Sequence, residues 1–203
     1  MANSVIFTDP VLHDLYQQVV TTLGEPPEFV VAPPDRYFAE LAETIIGQQL
    51  STKVADTITQ RVRATVGEEF SPGAVLATED LKLRQAGLSN AKVAYIKNVA
   101  RAWQDGHITS HSLTTLPEKE VLTKLVAIKG VGPWTAEMFM MFTLGRPDVF
   151  SVGDLALKKA IMKAYDLPAT TKPAEFISLS EQWRPNRTLA CRILWKSLEL
   201  PSI

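Results

Sequence analysis

The sequence predicts an all-α fold, and three observations support this. Apolar residues recur at helical spacing along most of the chain, as in Phe38, Leu41 and Ile45. Glycine, proline and N-cap residues interrupt these patterns often, which indicates short connections between helices. No pair of alternating apolar stretches around a tight turn predicts a β-hairpin, and no repeat of fixed period is present.

The first predicted helical run extends from Asp35 to Gly67. It breaks near residues 47–50, where Ser51 can cap a second helix. A further helix starts at the Ser-Asn pair of residues 89–90 and stops at Gly106. The next begins with proline and acidic residues at 117–120, as suits the positive end of a helix dipole, and ends at Gly130.

Four more helices complete the prediction. Pro133 suits the first position of one of them, and Asp154 is a good N-cap for the next. The predicted ranges are 133–145, 154–167, 173–183 and 186–200.

Composition describes an ordinary globular protein of one domain, or of two closely packed subdomains. The chain has 203 residues, of which 46% are hydrophobic and 21% charged. No apolar run approaches the ~20 residues needed to span a bilayer, and "MANSVIFTDP" lacks the pattern of a secretory signal. Cys191 is the only cysteine, so neither an internal disulfide nor a Cys-ligated iron–sulfur cluster is expected. A cytoplasmic location fits this cysteine usage best.

The charge distribution is uneven. Net charge is −1, but residues 1–35 hold five of the 22 acids and no lysine or arginine. The rest has 21 basic and 17 acidic residues, a net charge of +4. Residues 184–196 contain four basic residues and no acid. A modest basic face is therefore compatible with the sequence, although such runs are usually solvated helix faces.

The stretch "IKGVGPWTAEMF", residues 128–139, breaks and restarts a helix within a few residues. Gly130 and Gly132 allow positive φ and a tight reversal, and Val131 can tie the two helices together. Pro133 suits the first position of the restarted helix. Its outward amide N–H groups, at the positive end of the dipole, could hold a phosphate. A plain turn between two helices is the alternative.

Residues 125–136, "LVAIKGVGPWTA", resemble the helix–hairpin–helix DNA-binding motif. The resemblance implies that backbone groups of the hairpin hold a DNA phosphate, which positions a protein without reading sequence. It also implies that the carbonyl groups of Ile128 and Val131 can bind a sodium or potassium ion. The implied phosphate-binding residues are Lys129, Gly130, Val131, Gly132, Trp134 and Thr135.

Asp154 follows the hairpin's second helix and opens a new one. The helix–hairpin–helix glycosylase superfamily carries an essential aspartate there, and "VGDLALKK" matches it better than the competing Asp148 in "RPDVF". Breaking an N-glycosidic bond builds positive charge on the deoxyribose. A carboxylate can stabilise that charge and orient or deprotonate water. The resemblance therefore implies that Asp154 is catalytic; a plain N-cap is the alternative.

Trp134 stands where bifunctional members of the superfamily carry a lysine that attacks the sugar. No lysine lies between Pro133 and Asp148. The resemblance therefore implies a monofunctional glycosylase that uses water and leaves an abasic site.

Three further stretches resemble the 3-methyladenine DNA glycosylase II family, which excises alkylated purines such as 3-methyladenine and 7-methylguanine. Together with the hairpin they cover residues 36–195 in the family's order. Asn186 and Met138 depart from its usual pattern. The stretches are "IIGQQLSTKVA", "DLKLRQAGLSNAKVAYIKNVARAWQDG" and "WRPNRTLACRILW".

The family match implies roles for several other residues. A flipped base leaves a gap in the stack, and Gln49 with Leu50 beside it is the predicted wedge. For Leu50, packing in the core is the alternative. Trp134, Trp195 and Met138 are predicted to line the base pocket, where aromatic faces suit a cationic base. For both tryptophans ordinary core packing is the alternative, and Trp103 and Trp183 are expected in the core. Lys129, Lys158 and Arg187 are candidate phosphate neighbours; no role is assigned to the histidines.

The predicted layout has two helical subdomains around a central cleft. Residues 36–148 would form the subdomain that carries the hairpin, and residues 1–35 with 149–203 would form the other. The implied substrate is double-stranded DNA with alkylated bases, bound by a monomer without a membrane role. A non-catalytic helix–hairpin–helix module and a glycosylase for another base lesion are the alternatives.

Overall fold

The computed structural model describes residues 7–26, 31–67 and 69–201, so most of the stretch considered for a secretory signal lies outside them. Within these ranges the chain forms α-helices and two 3₁₀ helices, Pro34–Arg36 and Glu181–Trp183, without a strand. No helix of the described part is long and apolar enough to cross a membrane. The α-helices are α1 (Pro10–Leu23), α2 (Tyr37–Gly47), α3 (Thr52–Val66), α4 (Pro72–Ala77), α5 (Asp80–Gln85), α6 (Asn90–Gln104), α7 (Ser110–Thr115), α8 (Glu118–Val126), α9 (Pro133–Phe142), α10 (Leu155–Ala164), α11 (Pro173–Ser180) and α12 (Arg187–Ser197).

The chain divides into two compact units. One, the continuous unit, comprises Val30–Gly145 and carries α2 to α9. The other, the discontinuous unit, combines Met1–Phe29 with Arg146–Ile203 and carries α1 and α10 to α12.

Helix α2 is the centre of the continuous unit and contacts α3, α6 and α9. Its residues Leu41, Ile45 and Ile46 are fully buried. Phe38, one turn earlier, meets the half-buried Trp103 edge to face, with ring centroids 5.7 Å apart. The apolar spacing that predicted this helix therefore reflects a face buried against three neighbours, and Trp103 packs as expected.

Helices α1, α10 and α12 form the core of the discontinuous unit. A polar cluster lies inside it. Asp9 caps α1, is 4% exposed, and accepts hydrogen bonds from the Tyr165 hydroxyl at 2.5 Å and the Trp183 indole N–H at 3.0 Å. Burial, reinforced by the Asp9 carboxylate, raises the pKa of Tyr165. Trp183 is in the core, as predicted, and the cluster ties α1 to a distant part of the chain.

Several helices end three or four residues before the predicted stop, namely α8, α9, α10 and α12. Helix starts follow the predicted capping residues with one difference. Ser89 caps α6 and Asp154 caps α10 through side-chain hydrogen bonds. Ser51 occupies the N-cap position of α3, but its side chain makes no capping hydrogen bond.

Candidate active site

The hairpin between α8 and α9 depends on one glycine. Gly130 has φ +111°, and a Cβ atom there would overlap the Tyr95 side chain on α6. Gly132 has φ −83°, so positive φ is needed only at Gly130. The Val131 N–H donates to the Ile128 carbonyl at 2.9 Å, and the Val131 side chain is buried, as predicted. The result is a closed turn in which Gly132 is exposed and Gly130 half-buried, while Ile128 and Val131 are buried.

Helix α9 begins with Gly132 at the N-cap and Pro133 behind it, and no side chain caps this end. The first-turn amides have no acceptor within the helix, and they lie at the positive end of its dipole. Thr135 is buried, and its hydroxyl oxygen accepts a hydrogen bond from the Gln48 side chain, so its contact with a phosphate stays a prediction. Lys129 is exposed beside the turn. These features suit an anion site built mainly from backbone groups.

The predicted wedge lies in the turn between α2 and α3, residues 47–50. Gln49 is exposed and has φ +59°, a left-handed conformation that is uncommon for a residue other than glycine. Leu50 is half-buried. Lys92 donates from Nζ to the carbonyl groups of Ile46 and Gln48, both at 2.7 Å, and partial burial lowers the pKa of Lys92. Gln49 is therefore exposed on a turn whose backbone is fixed by Lys92.

Asp154 is the N-cap of α10. Its Oδ1 atom accepts the backbone N–H of Leu157 at 2.7 Å and the indole N–H of Trp195 at 2.9 Å. Two donors from different helices therefore fix the carboxylate. Leu155, the next residue, is 79% exposed. Sequence reasoning found the cap but not the bond to Trp195, because that contact joins residues 41 apart.

Asp148, the competing aspartate, has a different environment. Its carboxylate pairs with Arg187, at 2.8 Å between Oδ1 and Nε, and also with Arg184. Both Asp148 and Arg187 side chains are only 14% exposed. A carboxylate enclosed by two guanidinium groups is suited to holding the fold, so Asp154 is the better candidate for chemistry.

This ion-pair network also corrects the expected basic face at residues 184–196. Arg184 and Arg187 are both paired with Asp148 and Glu181, and Lys196 pairs with Glu199 at 2.7 Å. Three of the four basic residues therefore have acidic partners. The Arg187 side chain is 14% exposed and engaged in these pairs, and its role as a phosphate neighbour stays a prediction.

The predicted pocket residues lie on two helices. Trp134 and Met138 are four residues apart on α9 and share a face of it. Trp134 is 43% exposed, far from an ordinary core tryptophan, and Met138 is half-buried. Trp195, on α12, is half-buried and held at its edge by Asp154. Their role in binding a base stays a prediction.

Comparison with known proteins places this geometry in a family. A family model described as "HhH-GPD superfamily base excision DNA repair protein" matches residues 42–185. The putative DNA-3-methyladenine glycosylase YfjP of Bacillus subtilis is 30% identical over 168 residues, 78% of this chain and 58% of that protein. This chain thus spans less than two thirds of that relative's length.

Solved structures agree. The crystal structure of a Bacillus halodurans DNA-3-methyladenine glycosidase superposes with a TM-score of 0.81 and 35% identity, covering 96% of this chain and 92% of that one. The structure of the Schizosaccharomyces pombe 3-methyladenine DNA glycosylase Mag1 in complex with abasic DNA superposes with a TM-score of 0.77 and 28% identity. The match covers 92% of each chain.

A glycine hairpin followed by a helix-capping aspartate, on an all-helical fold, defines a helix–hairpin–helix protein of base excision repair. The chain belongs to the HhH-GPD superfamily of base excision DNA repair proteins, in which it is similar to 3-methyladenine DNA glycosylases. The family resemblance and the all-α fold predicted from sequence are confirmed.

Proposed function

We propose that the protein is a monofunctional DNA N-glycosylase that removes alkylated purines and leaves an abasic site. The observation that carries the proposal is the Asp154 carboxylate, held at the start of α10 by the Leu157 and Trp195 N–H groups. The names of the relatives, 3-methyladenine glycosylases of bacteria and yeast, support the substrate class.

The proposed chemistry assigns Asp154 two tasks. As the N-glycosidic bond breaks, the base leaves with the bonding electron pair and positive charge develops on the deoxyribose, which the carboxylate stabilises. Asp154 also orients a water molecule, whose oxygen bonds to the sugar carbon and whose proton is released. Trp134 supports water as the nucleophile, because it occupies the position of the amine that would form a covalent link to the sugar.

An alkylated purine with a positive charge needs little acid assistance to leave, so recognition is the main task of the pocket. Aromatic faces attract such a cation. Trp134, Trp195 and Met138 are the proposed lining, and Gln49, with Leu50 beside it, is the proposed filler of the gap in the DNA stack.

The hairpin is the proposed grip on the DNA backbone. Its phosphate-binding groups would be the amides around Gly130 and Gly132, with Lys129 adding charge. A sodium or potassium ion could be held by the carbonyl groups of Ile128 and Val131; the Ile128 oxygen accepts one hydrogen bond and retains a second lone pair. Such an ion, the monomeric state and the location in the cell stay predictions.

The test uses methylated double-stranded DNA and chromatography of the released bases. The wild type should release 3-methyladenine and 7-methylguanine. Asp154→Asn should lose most of this release while its affinity for abasic-site DNA and its thermal unfolding stay close to wild type, since an asparagine also caps helices. The matched variant Asp148→Asn should lose stability but excise normally in its folded fraction.

Two results would count against the proposal. Near-wild-type excision by Asp154→Asn would remove its catalytic role, and no released base from the wild type would favour a non-catalytic DNA-binding module. A separate reaction with borohydride tests the nucleophile. We expect no trapped protein–DNA adduct, and a trapped adduct would show that an amine attacks the sugar.

A further inference from the structure

We propose that Gln48 is a positioning residue that couples the wedge turn at residues 47–50 to the phosphate-binding end of α9. The inference rests on the proposed function. Through Gln48, one connected element of the continuous unit both binds the DNA backbone and displaces the base.

The coupling is a single hydrogen bond between distant parts of the chain. The Gln48 side chain donates from Nε2 to the Thr135 hydroxyl oxygen at 3.0 Å, across 87 residues of sequence. Thr135 is 4% exposed and lies in the first turn of α9, directly after Pro133 and Trp134. The residue that holds the Gln48 side chain therefore belongs to the helical turn whose amides are proposed to bind a phosphate.

The opposite side of the turn is held as well. Lys92, on α6, donates to the carbonyl groups of Ile46 and Gln48. The Gln48 residue is thus fixed at both its side chain and its carbonyl. Gln49, between this anchor and α3, keeps a left-handed backbone that persists only where its surroundings over-determine it.

This arrangement has a mechanical meaning. Restacking of the bases opposes insertion of the Gln49 side chain. The wedge keeps its position only if the turn that carries it is anchored to the second DNA contact, the phosphate-binding hairpin. The bond between Gln48 and Thr135 connects the wedge turn directly to that contact. Without it the hairpin can still bind a phosphate, but the wedge can yield and the flipped state becomes less populated.

The experiment is a double-mutant cycle with Gln48→Leu and Thr135→Val, which remove the donor and the acceptor at nearly constant volume. The readouts are base flipping, followed by the fluorescence of 2-aminopurine beside an alkylated base, and affinity for undamaged DNA. Each single variant should lower the flipping equilibrium roughly three- to tenfold, the range of one neutral hydrogen bond. The double variant should flip the base no less than the single variant with the larger loss, and Gln48→Leu should bind undamaged DNA within about twofold of wild type.

Two further variants serve as controls. Thr135→Ser keeps the hydroxyl and should restore flipping, which separates the bond from packing around the threonine. Gln49→Ala removes the wedge itself, and it should lower flipping in the wild type more than in Gln48→Leu. Circular dichroism confirms that each variant is folded.

The coupling would be overturned by additive losses in the double variant or by unchanged flipping in both single variants. It would also be overturned if Gln48→Leu lost undamaged DNA binding as strongly as base flipping. These outcomes are distinct from failure of the proposed function. A wild type that excises alkylated bases while Gln48→Leu flips them normally refutes the coupling alone. A wild type that releases no base refutes the glycosylase assignment.

Discussion

Two tryptophans in the discontinuous unit each donate an indole N–H to an aspartate that caps a helix. Trp195 donates to Asp154 at 2.9 Å, and Trp183 donates to Asp9 at 3.0 Å. Replacing each tryptophan by phenylalanine removes the same type of hydrogen bond, but only one of the two aspartates is proposed to act in catalysis. The pair therefore separates a catalytic contact from a structural one.

The expected size follows from the bond that is lost. A hydrogen bond to a charged group contributes about 1.5–3 kcal/mol, and each 1.36 kcal/mol in the barrier changes a rate about tenfold. Trp195 is half-buried, and Asp154 keeps the Leu157 N–H, so the lower end of the range applies. Trp195→Phe should slow excision about tenfold, or more where the lost ring area also weakens base stacking.

The assay is single-turnover release of 7-methylguanine with enzyme in excess, combined with urea unfolding of each variant. Trp183→Phe should lose about 2–3 kcal/mol of unfolding free energy, because Trp183 is 1% exposed and Asp9 is buried. Its folded fraction should excise at the wild-type rate. A wild-type excision rate in Trp195→Phe, or equal slowing in both variants, would refute the assignment of the Asp154 bond to catalysis.

Three further outcomes are expected. Gly130→Ala should lose about 3 kcal/mol or more of unfolding free energy, because the added methyl group would overlap the Tyr95 side chain and the positive φ disfavours alanine. Gly132→Ala should change the unfolding free energy by less than about 1 kcal/mol, because no atom lies within 4 Å of the added methyl group. Asp148→Asn should cost about 2–3 kcal/mol in urea unfolding, since two arginines each lose one of their two charged partners; an unchanged midpoint would contradict this. The raised pKa of Tyr165 means that the unfolded tyrosine ionises first, so the stability this group contributes is present below about pH 10 and is lost as pH rises further. Tyr165→Phe should flatten this alkaline decline in a pH series of unfolding curves, and an equally steep decline would exclude Tyr165 as its source.

The sequence predicted the helices that carry a long apolar period and a clear cap. Helix α10 begins after Asp154 as expected, and α9 begins at Pro133. The six-residue helices α4, α5 and α7 were not predicted, because so few residues show no period. Helix α7, "SHSLTT", contains weak helix formers and is held by the capping box of Thr109 and Ser112. Helix α1 was also not singled out, although an Asp-Pro start at residues 9–10 was a readable signal.

The candidate site was predictable where a residue's role follows from its neighbours in sequence. The hairpin glycines and the Asp154 cap are of this kind. The partners of these residues come from tertiary structure: Trp195 lies 41 residues after Asp154, and Thr135 lies 87 residues after Gln48. The residues next to Thr135 in sequence do not indicate that Thr135, which was predicted to contact a phosphate, is buried.

The Asp9 cluster sets an order of events during synthesis. Its two partners lie 156 and 174 residues further along the chain. The residues of the continuous unit leave the ribosome before either partner, while α1 must wait for the last quarter of the sequence before Asp9 finds its donors. A fusion or deletion that disturbs α1 would therefore also disturb the interior of residues 146–203, the segment that carries the proposed catalytic carboxylate.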